Sequence, residues 1–165
     1  MVMKRGVISD AILFTIMLFV VSIGLLVVYV AYDEIDGALQ DNSQIPQEEK
    51  DRFAEDAAKF PSTWDFVFLT AFIGVVVGVL VISYLLATQP VFFFVFMFVV
   101  VVLGALSGYI ANAFDEIILD PVLGASALNF PIMSFIMSNY LIFIVVMVML
   151  MLIVFYAKPN QGGFA

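Results

Sequence analysis

Four stretches of the chain, residues 11–32, 66–90, 91–114 and 131–157, contain no Asp, Glu, Lys or Arg. The 6 basic and 14 acidic side chains all lie outside them. Charge is what hydrocarbon tolerates least, and a bilayer core about 30 Å thick takes about 20 helical residues to cross. Each stretch meets that length. The sequence therefore predicts an all-α, membrane-embedded bundle of four transmembrane helices with a short amphipathic extramembrane helix. It reads as a single membrane domain over 1–165, with spans at about 11–32, 65–86, 91–113 and 132–157, a polar region at 33–63 and a short tail at 158–165.

Composition narrows the chemistry. Hydrophobic residues make up 64% of the chain, against about 45–50% in a soluble domain. Cys and His are both absent, which removes thiolate chemistry, the commonest general base and the commonest transition-metal ligand. The spans offer no carboxylate for a proton relay. The reading is of a non-enzyme with no cofactor and no metal. A net charge of −8 leaves no basic patch for nucleic acid.

Lys4 and Arg5 precede the first apolar run, as in a signal peptide. The run is longer than the usual 7–15-residue apolar core of such a peptide, and no small-x-small cleavage site follows it. An uncleaved first span, starting at Ser9 or Asp10 as N-cap, is the better reading. Tyr29 and Tyr32 stand where interfacial aromatics are enriched, and Asp33-Glu34-Ile35-Asp36-Gly37 marks the exit into water. Asn42-Ser43 reads as loop and Pro46 as a helix start. Residues 47–60 follow as a helix ending at Pro61. It carries Phe53, Ala57 and Phe60 on one face, to lie on the membrane or on the spans.

The second span begins after Ser62-Thr63-Trp64-Asp65, whose ends have capping-box spacing. Trp64 stands at headgroup level, as Tyr156 does at the end of the last span. The short link 87–90 makes the second and third spans an antiparallel hairpin. Gly74-x-x-x-Gly78 and Gly104-x-x-x-Gly108 are candidates for close helix packing, within the hairpin or between subunits. Ser134, Ser138 and Asn139 are candidates for hydrogen bonds across helices. The Phe92–Phe98 cluster and Met147, Met149 and Met151 read as packing bulk. Asp115, Glu116 and Asp120 read as a solvated exit marker rather than a cation site, since EF-hand spacing is absent.

An even span number puts both termini on one side, with Lys4, Arg5 and Lys158 against Asp10. The other side holds 13 acids and three bases. The bias of positive charge toward the cytoplasm places the termini there.

Thr88-Gln89-Pro90-Val91-Phe92, Ala111-Asn112-Ala113-Phe114-Asp115-Glu116, and Phe130-Pro131-Ile132-Met133 followed by Ser138-Asn139 carry a resemblance. In this layout they resemble small four-span integral membrane proteins of tailless icosahedral phages with an internal membrane, of the corticovirus kind. The resemblance covers most of 65–158. It implies a structural protein of a virion that scaffolds or curves an internal membrane, derived from the host cytoplasmic membrane, and links it to the capsid shell. Its partners would be the lipid bilayer and either further copies of the chain or other virion membrane and capsid proteins, without direct nucleic-acid binding. Lys4, Arg5 and Phe164 are the candidate partner contacts. The alternative is a holin-like or small-channel pore former, which needs polar residues lining a path; the spans offer only isolated Ser, Thr, Asn and Gly.

Overall fold

The computed structural model describes residues 6–86 and 91–157, and among these the chain is helical with short turns and no strand. Six helices follow in order: α1 Gly6–Asp41, α2 Gln47–Leu86, α3 Val91–Ile117, α4 Pro121–Ala127, α5 Pro131–Ser138 and α6 Tyr140–Ala157. Among the described residues three helices are long and apolar enough to cross a membrane, or up to four if the α4–α5 pair, bent by 111°, counts as one span. The chain is thus an all-α bundle of membrane character. The link 87–90 and the side chains of Lys4, Arg5, Tyr156 and Phe164 lie outside the described residues.

The bundle packs α1 on α2, α2 and α3 on both α5 and α6, and α4 on α1. Its core is almost wholly apolar, with Leu26, Phe114, Phe130, Met133, Met137 and Tyr140 fully enclosed. Few polar groups enter it, and each is satisfied. Ser22 Oγ donates to the Leu18 carbonyl at 2.7 Å, Ser107 Oγ to the Gly104 carbonyl at 3.0 Å, and Tyr140 Oη to Thr15 Oγ1 at 3.2 Å. Among the described residues no buried side-chain N or O lacks a partner, as burial in a medium without water requires.

The first two helices outrun the sequence reading. α1 already contains Ser9 and Asp10 instead of being capped by them, and it continues nine residues past Tyr32. Charge marks where a helix meets water, not where it stops. α2 runs without a break through Pro61, so the expected separate amphipathic helix is the first third of α2. A proline inside a helix costs about 3 kcal/mol through its missing N–H and its clash with the preceding turn. It is tolerated because α2 is held on both sides: Phe60 joins the same core as Phe68 and Phe72, and α1 lies along the length.

A chain reversal at 42–46 joins the two helices. Asn42 Oδ1 accepts from the Gln44 amide at 2.9 Å, and Pro46 precedes the first turn of α2, its carbonyl accepting from Glu49 and Lys50. The expected loop after α3 instead contains α4, which Asp120 caps through the amides of Val122 and Leu123 at 2.9 and 3.0 Å, with Pro121 at the first helical position. Asp120 is thus a helix cap.

Candidate functional site

Where the uncharged stretch of α1 ends, the α1–α2 hairpin continues. Asp33–Asp41 adds about 13 Å and Gln47–Lys59 about 20 Å at the helical rise. Across residues 33–59 stand nine acids and three bases. Every base is held within the hairpin. Arg52 pairs with Glu48 at 2.7 Å, Lys59 with Glu55, and Lys50, only 7% exposed, donates to the Gln40 carbonyl at 2.7 Å. Lys50 thereby supplies a cation to the carbonyl end of α1, where the helix dipole favours one. With nine acids against three bases the hairpin surface is net negative, and the exposed Arg52 and Lys59 stand beside their paired Glu48 and Glu55.

Aromatic side chains lock the hairpin lower down. Tyr32 lies between Phe53 and Phe60, stacked at ring-centroid distances of 5.7 and 5.0 Å. Phe60 continues to Trp64 at 5.9 Å and to Phe130 at 6.4 Å, and Tyr29 meets Phe130 edge-on at 5.7 Å. Such pairs contribute about 0.5–1.5 kcal/mol each beyond their burial. The residues expected at the membrane interface, Tyr29, Tyr32, Phe53, Phe60 and Trp64, are thus one connected cluster between α1, α2 and Phe130. Trp64 keeps 42% of its surface exposed at the rim.

At the base of this cluster sits Asp65, 3% exposed. Its two oxygens accept from the amides of Ile132 and Met133, at 2.9 and 2.7 Å. These are the free amides of the first turn of α5, whose own N-cap, Phe130, has no side chain to offer them. Pro131 lacks an N–H. A carboxylate from α2 therefore caps α5 from a distance, in the charge sense the helix dipole favours. This corrects the capping-box reading: Ser62 Oγ donates to the Lys59 carbonyl at 3.0 Å, and Asp65 serves another helix. The sequence carries half the signal for it: an apolar residue before Pro131, a helix start with no local acceptor.

The remaining candidates separate. A β-carbon added at Gly74, Gly78 or Gly104 would meet nothing within 4 Å, and at Gly108 only Leu141 Cδ2 at 3.8 Å. Among the described residues neither glycine pair makes a close helix crossing. Ser134 Oγ donates to the Ala127 carbonyl at 3.0 Å and ties the α4–α5 corner. Asn139, the single residue between α5 and α6, donates to the Phe135 carbonyl at 2.9 Å. Ser138 is half-buried.

Between α1 and α4 lies an open groove of about 330 Å³, lined by Tyr29, Asp33, Glu34, Ser126 and Asn129 among others. Among the described residues no group of three or more His, Cys, Asp or Glu could hold a metal ion. What the geometry supplies is a braced hairpin of net negative charge. Comparison with family models, with characterised proteins and with solved structures finds no match.

Proposed function

We propose that this chain is a non-catalytic structural component of a membrane, and that it holds a stiff acidic hairpin clear of one bilayer face as an attachment for neighbouring proteins. The observation that carries the reading is the bracing of the hairpin at three heights: Lys50 on the Gln40 carbonyl, Tyr32 between Phe53 and Phe60, and Asp65 on α5. A loose linker would need none of these. In this reading α5 and α6, with only Asn139 between them, make the fourth crossing over 131–157, and the termini share the face opposite the hairpin.

The phage resemblance gives the setting: the internal membrane of a virion, with the chain populating the vesicle and tying it to the shell. Mass spectrometry of purified source particles, with copy number, tests it. Stoichiometric recovery in particles is expected; recovery only from cell membranes overturns the virion setting.

The interior supports scaffolding over pore formation. The buried hydroxyls of Ser22 and Ser107 bond back to their own helices, and Tyr140 closes on Thr15. Among the described residues these hydroxyls are satisfied within the bundle and not offered to a channel. In dye-loaded vesicles the reconstituted chain is expected to leave the dye inside, and rapid leakage would sink the scaffold reading.

A further inference from the structure

We propose that a second copy of this chain packs in parallel along the outer face of α1. Met17, Val21, Gly24, Val28, Ala31, Ile35 and Ala38 recur at spacings of four and three residues, and all seven are exposed. The pattern is a heptad seam about 32 Å long at the helical rise, with β-branched Val21, Val28 and Ile35 at one core position. Met17 and the small residues Gly24, Ala31 and Ala38 occupy the other. Small residues at alternate layers let two helices approach closely, and the repeat is sustained over three heptads, the shortest length at which such a pattern argues for a coiled coil.

Within the bilayer, lipid chains would cover such a face. The seam does not stop there. Residues 33–41 carry four acids, Asp33, Glu34, Asp36 and Asp41, yet Ile35 and Ala38 continue the register, and Ile35 is 50% exposed among them. Lipid does not account for an apolar stripe running on between carboxylates.

Charge placement decides between partners. Two copies of an acidic hairpin repel unless the acids avoid one another. In this register the residues flanking the core on one side are Leu18, Leu25, Tyr32 and Leu39, with no acid among them. In a parallel pair Glu34 therefore faces Leu39 of the partner subunit rather than a carboxylate. Two copies inserted in one membrane share their orientation, so parallel is the only pairing open to them. Beside the seam, Met17 and Val21 also line an apolar groove of about 190 Å³ with Trp64, Val67 and Phe68, which offers room for the partner's side chains.

The inference holds whether or not the chain belongs to a virion, and it fails separately. Because the chain has no Cys, single substitutions report alone. The full chain carrying Val28→Cys, Ala31→Cys, Ile35→Cys or Ala38→Cys, reconstituted in phosphatidylcholine vesicles and mildly oxidised, is expected to form a disulfide dimer. Asp33→Cys, Asp36→Cys and Gly74→Cys are expected to give several-fold less. All but Asp36 are exposed sites, and unchanged thermal unfolding before oxidation verifies the fold of each variant. Absence of dimer at the four seam positions, equal yields at every position, or a maximum at Gly74 overturns the proposal.

Discussion

At the scale of single residues, the firmest long-range contact is made by one carboxylate. Removing Asp65 leaves two amides of α5 enclosed without an acceptor, at about 1–3 kcal/mol for a group so stranded. Asp65→Ala is expected to destabilise the detergent-solubilised protein by that order and to speed hydrogen exchange at Ile132 and Met133. Asp65→Asn, keeping one acceptor oxygen and losing the charge, should fall between. Unchanged exchange at those two amides in Asp65→Ala would refute the remote cap. On the exposed hairpin the hydrogen bond and charge of Lys59 hold the Glu55 carboxyl below its ordinary range, and Glu55 in turn raises Lys59. A depressed carboxylate pKa contributes stability above its unfolded value that disappears as pH falls through the folded one. A raised lysine pKa contributes stability that disappears as pH rises through its folded value. The pair is therefore whole between the ordinary values of 4.5 and 10.5. An NMR titration of Glu55 should show Lys59→Met returning it toward the ordinary range, with little change in unfolding, because exposed pairs contribute little.

At the scale of elements, glycines of one type have opposite consequences. Gly74→Ala and Gly78→Ala are expected to stabilise α2 by about 0.5–1 kcal/mol each, because no described residue lies within 4 Å of an added β-carbon at either site and Ala is the better helix former. A drop in stability would show that those sites are closely packed after all. Gly124→Ala should destabilise by about 1–3 kcal/mol, since its β-carbon would overlap the Ile118 carbonyl oxygen and force α4 off the end of α3. Thermal unfolding of the three variants separates the cases. The uncharged stretches made the long helices legible in the sequence. Their ends were less so, because Asp33, Glu34 and Asp36 report solvent and are compatible with helix. Pro61 suggested a break that packing against α1 overrides. Asp120-Pro121 carried an ordinary helix-start signal, hidden by reading the neighbouring acids as a solvated exit. The Asp65 cap was legible only in half: the lack of a local acceptor at Pro131 is visible, but which of 14 acids answers it depends on the fold.

At the scale of the whole molecule, the proposed topology places residue 43 at the hairpin tip and the termini across the bilayer. Ser43→Cys, alone in a chain without Cys, should react with a membrane-impermeant maleimide from one face of oriented vesicles, and a cysteine added before Met1 only from the other. Labelling of both from one face would overturn the even crossing number. The mechanical character of such a body follows from α2. That helix is continuous from Gln47 through Pro61 to Leu86, about 60 Å at 1.5 Å per residue. In the proposed topology the helix continues through Pro61 where it leaves the membrane. In that topology a push on the hairpin tip would be passed along the helix toward bilayer depth. Asp65 lies partway along that path and grips the start of α5 with both oxygens, so the same push would pull on the α4–α5 corner. Load applied at the acidic tip would be shared across the bundle and spread over the lipid around it.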